Sequence, residues 1–220
     1  MAKSFSKETE SFLWDLKFNN ERQWFLQNKD RFENVLNEPF KELAHNTHDL
    51  VTSEFPDEVL ELHVSRIYRD ARRLFGRGPY KDRLWFTIKN RRNGFDGAAF
   101  FFEINPAGWC YGLGLYCEKP SQMEEFRKSV AANPAAFERL ANEIEKMPDF
   151  EIQGEEYKKP KGDFGPIINK WYNRKYVDAV SNHDFEGELF SENLYSFLAD
   201  EFIKLMPMYK FLNRFGNTTE

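Results

Sequence analysis

Hydrophobic and polar positions change period twice along the main body of the chain, dividing it into a helical, a strand and a second, mainly helical section. Ser6 stands before a stretch in which Phe12, Leu13 and Leu16 follow helical spacing, so a first helix capped by Ser6 is predicted. Asn19-Asn20 breaks it, and Trp24, Phe25, Phe32, Val35 and Leu36 continue a helical stripe. Pro39 suits the first turn of a third helix, with Phe40, Leu43 and Leu50 expected to face inward.

The period then drops to two. Residues 60–70 are a candidate first strand. Leu84, Phe86 and Ile88 alternate with Arg83, Trp85, Thr87 and Lys89, and Phe100, Phe102 and Ile104 with Ala99, Phe101 and Glu103. Trp109, Tyr111, Leu113 and Leu115 alternate with Cys110, Gly112, Gly114 and Tyr116. Turn signals at Asn93-Gly94 and at residues 105–108 join these runs into an antiparallel meander over 83–117. Leu84, Phe86, Ile88, Phe100, Phe102 and Ile104 should share one buried face. Gly112 and Gly114 lie on the other, and alternate glycines in a strand mark close approach of a ligand or of another backbone, with a bulge or tight helix packing as the alternative.

Helical spacing returns over 120–132 and, after Asn133-Pro134, to about Met147. A short strand is expected within 150–157, a loop over 158–162, a short helix over 167–174 and a strand over 176–180. Ser191 is expected to cap a long last helix that Pro207 kinks. The fold class is therefore α+β: an antiparallel meander sheet, about residues 60–117, covered by N-terminal and C-terminal helices. At 220 residues, one globular domain spanning 1–220 is expected, large enough to bury roughly 70% of its unfolded surface.

Composition removes several classes. Aromatic content of 17% excludes disorder, and no apolar run approaches the length of a membrane span. The first twenty residues hold no apolar h-region, so a cytoplasmic protein without membrane association is expected. Cys110 and Cys117 alone make no disulfide framework and no zinc spacing. His45 and His48 lie one helical turn apart without an evident third ligand, so no metal site is expected. No histidine has a nucleophile motif beside it, and neither a phosphate-binding loop nor a dinucleotide fingerprint is present. The sequence names no reaction and no cofactor.

Charge supplies the one anomaly. Between Val64 and Arg92 stand ten basic residues against Asp70 and Asp82 alone, a balance of +8 in a chain of net −5. The remainder thus carries −13, which disfavours a general nucleic-acid coat but allows a focused cationic site on an acidic body. Arginine binds carboxylate or phosphate bidentately, and glycines let backbone N–H groups approach an anion. The candidate site comprises Arg66, Arg69, Asp70, Arg72, Arg77, Tyr80 and Lys81 in the first connection of the sheet. Lys159 and Lys161 are expected nearby, completing it. A phosphate-containing small molecule or a nucleic acid is the expected ligand. The alternative is a structural or protein-interaction module whose arginines pair internally. A phosphoryl-transfer or nuclease site would need acidic metal ligands beside the arginines, for which Asp70 and Glu103 are the β-section carboxylates with suitable placement, although Asp70 more often buttresses an arginine.

A family resemblance rests on short pieces in order along nearly the whole chain. These are the run from Asn19 to Phe25, Pro39-Phe40, Arg66-Ile67-Tyr68-Arg69-Asp70 with Arg72, Pro79-Tyr80-Lys81, Gly112-Leu113-Gly114 and Lys159-Pro160-Lys161-Gly162. Through them the sequence resembles the domain-of-unknown-function 2461 family. Between Arg72 and Pro79 it departs from that pattern: Arg73-Leu74-Phe75-Gly76-Arg77 replaces an aromatic followed by Ser-Lys-Asp-Lys. The resemblance implies one globular α+β domain and brings no activity with it.

Overall fold

The Ser6 hydroxyl accepts a hydrogen bond from the Glu8 N–H at 3.2 Å, and the Ser6 N–H donates to Thr9 Oγ1 at 3.1 Å. This reciprocal box starts α1 (Lys7–Phe18), which ends at Asn19 as predicted. The computed structural model to which these atoms belong describes residues 4–74, 76–90, 97–116 and 120–213, without the side chains of Arg73 and Tyr116. The Asn93-Gly94 turn, Arg91, Arg92 and Cys117 lie outside the described residues.

Helices α2 (Arg22–Gln27) and α3 (Lys29–Phe32) lead through a π-helical turn, Glu33–Asn37, straight into α4 (Glu38–Glu54). Pro39 sits in the first turn of α4 as expected. Phe40 and Leu43 are buried there, but Leu50 is 39% exposed, a correction to its inward assignment.

Six strands follow: β1 (Leu60–Val64), β2 (Leu84–Asn90), β3 (Gly97–Asn105), β4 (Gly108–Tyr116), β5 (Phe150–Gln153) and β6 (Val177–His183). They form one antiparallel sheet in the order β1-β2-β3-β4-β6-β5. The fold is α+β. Strand β1 is shorter than its 60–70 pattern because Ser65 Oγ takes the Trp85 N–H at 2.9 Å, where a ladder would offer a backbone carbonyl. Beyond it, pairing survives only as the Tyr68–Tyr80 bridge.

Between these strands, α5 (Pro120–Ala132) and α6 (Pro134–Glu145) follow β4, and Asn133 Oδ1 caps α6 by accepting from the Ala136 N–H. Helix α7 (Pro166–Tyr172) separates β5 from β6. Strand β6 extends three residues past the predicted 180 because it pairs with β4 as far as His183–Trp109. Helix α8 (Leu194–Asn213) starts later than expected and runs through Pro207; the Ser191 hydroxyl accepts from the Asn193 N–H instead of capping the helix itself.

The register places Leu84 opposite Ile104, Phe86 opposite Phe102 and Ile88 opposite Phe100. All six are at most 1% exposed, so the expected inner face is correct. Phe40 of α4 lies 5.8 Å from Phe86 and 6.0 Å from Phe102. Phe202 and Tyr209 of α8 stack on Phe100 at 5.1 and 4.6 Å. The Tyr209 hydroxyl also accepts the Asn90 N–H at 2.7 Å, tying α8 to the end of β2. Helices thus occupy one side of the sheet, and the alternate residues of the strands form the opposite, outer face.

Candidate ligand-binding site

The outer face is built by alternation. Glu61 and His63 of β1 stand opposite Lys89 and Thr87 of β2, and Trp85 of β2 stands opposite Glu103 of β3. Farther along, Phe101, Gly112 and Val180 form one row, and Gly114 meets Asp178. The two glycines answer to strand β6. A Cβ on Gly112 would lie 2.0 Å from the Ala179 carbonyl oxygen, and one on Gly114 would lie 2.4 Å from Asp178 Oδ1. Close approach of strand β6 is therefore what both glycines accommodate.

The connection from β1 to β2 hangs from one corner of this face and is held from below. Asn20 reads the backbone of Tyr80 at both ends, accepting its N–H at 3.0 Å and donating to its carbonyl at 2.9 Å. A Cβ on Gly78 would meet the Asn20 side chain at 2.3 Å, so glycine there is what lets the loop seat. The Tyr80 ring is buried, stacked at 4.0 Å on Phe25, and burial raises the pKa of its phenol. Tyr80 is thus an anchor of the loop.

The cations divide by partner. Arg69, 19% exposed, donates from Nε to the Tyr80 carbonyl at 2.6 Å and from a terminal nitrogen to Asp82 at 3.2 Å. Arg72 forks onto Asp70 at 3.0 and 2.8 Å, and Asp70 also caps the short 3₁₀ turn Ala71–Arg73. Both arginines are thus paired within the connection. Arg77 donates to the Leu74 carbonyl at 3.3 Å. Arg83 pairs with Glu103 at 3.2 Å.

Lys81 differs. Its ammonium donates to the Arg66 carbonyl at 2.7 Å and lies 6.0 Å from the Trp85 ring centre, and among the described residues no carboxylate pairs with it. Burial lowers its pKa, and nearby Arg83, Arg69 and Arg66 lower it further. His63 packs against Trp85 with the rings tilted and their centres 5.1 Å apart, and its imidazole is pushed down by burial and then by Lys89, Lys81 and Arg66. Lys81, Arg66, Trp85 and His63 therefore share one corner. Sequence reasoning passed over His63, although strand alternation from Leu62 and Val64 already puts it on the face of Trp85.

Lys159 and Lys161 do not join this corner. The β1–β2 connection leaves the sheet at the β1 edge, beside the start of β2, whereas the segment from β5 to β6 leaves at the opposite edge and the opposite end. There Asn173 accepts from the N–H groups of Lys161 at 2.7 Å and Gly162 at 3.3 Å, and the Lys161 ammonium sits 4.5 Å from the Tyr157 ring centre. The shared chemistry of the two loops was a resemblance of composition, which says nothing of where a sheet sends its ends.

Two other groups could suggest chemistry. Ser181 Oγ lies 2.7 Å from His183 Nε2, a pair that their two-residue spacing on one strand makes possible and that sequence reasoning missed. Ser181 is fully buried and so shut off from any substrate. The Cys110 thiol is pushed by burial up to about 12, far from a reactive thiolate. Among the described residues, no group of three or more His, Cys, Asp or Glu could hold a metal ion. His48 instead spans from α4 to the Leu60 carbonyl at 3.2 Å. No helix of the described residues is long and apolar enough to cross a membrane.

No curated protein matches the sequence. The pieces that carried the resemblance are, in the structure, largely the parts that seat loops: Asn20 under Tyr80, and Gly162 under Asn173. A family model described as a conserved hypothetical protein matches residues 8–211, and on that match the chain belongs to the domain-of-unknown-function 2461 family.

Proposed function

We propose that this protein binds a phosphate-containing ligand, a small molecule or a nucleic acid, at the corner formed by Arg66, Lys81 and Arg83. The observation that supports the reading is Lys81: a partly buried ammonium among three arginines, with a backbone carbonyl as its partner and, among the described residues, no carboxylate. Like charges held together raise the energy of the free protein, and an anion relieves that cost on binding. Two of those arginines, Arg69 and Arg83, are held by Asp82 and Glu103, so an incoming phosphate meets pre-oriented donors.

A second reading has its own support. The pairs Arg69–Asp82, Arg72–Asp70 and Arg83–Glu103 are what a structural or protein-interaction module with internally satisfied arginines would show. Thermal melts separate the two. Inorganic phosphate or pyrophosphate at a hundredfold excess over Kd should stabilise the wild type by about 2.7 kcal/mol against chloride of equal ionic strength. Lys81→Ala should keep the melting temperature in chloride and lose the anion effect. A wild type indifferent to both anions, with Lys81→Ala strongly destabilised, leaves the structural reading.

A further inference from the structure

Helix α5 buries a charge where its stripe calls for an apolar residue. Met123, Phe126 and Val130 make its inward face, and Arg127, one turn after Met123, lies among them at 7% exposure. One terminal nitrogen, Nη1, reaches the Arg174 carbonyl at 3.5 Å, and the guanidinium carbon lies 5.3 Å from the centre of the Tyr157 ring. Among the described residues no carboxylate pairs with it: Glu125, Glu155 and Glu156 are engaged by Lys128, Lys175 and Arg174. A guanidinium carries five N–H donors, and a ring face with one long carbonyl contact returns less than its removal from water costs.

The loop over 154–162 brings a second cation to the same place. The Asn173 carbonyl accepts the Tyr157 N–H at 2.9 Å, and the Asn173 carboxamide accepts the Lys161 N–H at 2.7 Å, so one residue sets both positions. The exposed Lys161 ammonium lies 4.5 Å from the centre of the same Tyr157 ring, and no carboxylate among the described residues pairs with it either. Nε and Nη2 of Arg127 make no hydrogen bond with the described residues and are not sealed from solvent. They form one edge of the fork, whose two parallel N–H donors match the two oxygens of a carboxylate.

We propose that this edge of Arg127 binds the carboxylate of a small molecule, with Lys161 as the second cation. One planar carboxylate takes both donors and cancels the buried charge, whereas a phosphate has a third oxygen for which the edge holds no donor. Burial of the guanidinium beneath Tyr157 admits a small acid rather than the acidic surface of a folded partner. The site is independent of the Lys81 corner, from which the sheet separates it.

Side-chain NMR of the full chain, following the Arg127 Nε–H resonance during titration with sodium succinate at constant ionic strength, tests it. The resonance, assigned by its loss in Arg127→Lys, should shift saturably. Lys161→Gln should weaken binding about threefold, as one exposed charge provides, and Lys81→Ala should leave it unchanged. Succinate should raise the melting temperature of the wild type but not that of Arg127→Met. In chloride, Arg127→Met should melt no lower than the wild type, because an apolar side chain there removes an uncompensated buried charge. A resonance that does not move, or that drifts without saturating, overturns the site and leaves the Lys81 reading untouched. Saturation by inorganic phosphate at lower concentration than by succinate overturns the carboxylate. A marked loss of stability in Arg127→Met overturns the uncompensated charge on which the site rests.

Discussion

The carboxamide of Asn20 closes a ring of two hydrogen bonds with the backbone of Tyr80, at 3.0 and 2.9 Å, sixty residues apart in the chain. It does for the loop what a neighbouring strand would do: it satisfies one N–H and one C=O that would otherwise have to face water or go unpaired. The turn between α1 and α2 thereby becomes the floor of the β1–β2 connection, and the cations on that connection inherit their positions from it.

Asn20→Ala is therefore expected to destabilise the protein by about 1–3 kcal/mol, the cost of leaving a part-buried backbone pair without partners. Amide exchange should speed up over residues 78–82 before it does in the sheet. Urea melts and exchange on the same variant check both. Gly78→Ala should act in the same direction, since its Cβ would have to push Asn20 aside. A wild-type exchange pattern in both variants would show that the loop is held by something else.

Arg69 and Arg72 are both paired, yet their truncations should differ. Arg72 is 88% exposed, so Arg72→Ala should leave stability nearly unchanged. Arg69→Ala strips a part-buried carbonyl and Asp82 of a charged donor together, and about 1.5–3 kcal/mol should be lost. Chemical denaturation of the two variants side by side gives the ordering, and equal effects would contradict it.

Asp178 gives a pH dependence with a defined sign. Burial pushes its carboxyl up from 3.8 to about 6, so the folded state holds the proton more tightly than the unfolded state. Its contribution is fully present below about pH 4 and is lost as pH rises through about 6. Asp178→Asn should therefore be more stable than the wild type at pH 8, by at most about 3 kcal/mol at 1.36 kcal/mol per unit. The two proteins should converge near pH 4. A difference independent of pH between 4 and 8 would rule out the carboxyl as its source.

The meander was legible because its information is local. Phe86 is followed two residues later by Ile88 and faced by Phe102, and a period of two admits only one register that buries all of them. Trp85 and Lys89 were assigned to the opposite face by the same argument. Leu50 was misassigned because helical spacing fixes an angle around an axis only approximately: Phe40, Leu43, Thr47 and Val51 form the buried stripe of α4, and Leu50 lies at its margin.

By itself, the sequence determined the elements, the Ser6 and Asn133 caps, the buried face of the meander and the charge imbalance between residues 64 and 92. Each of these depends on residues close in the chain or on simple counting. Tertiary structure alone decided that β6 enters the sheet beside β4, that Lys159 ends at the corner diagonally opposite Lys81, and that Arg69 and Arg72 find carboxylates while Lys81 finds a carbonyl. Ladder order and side-chain pairing are set by which surfaces meet after burial, and a single sequence carries no distance between residues that are far apart along it.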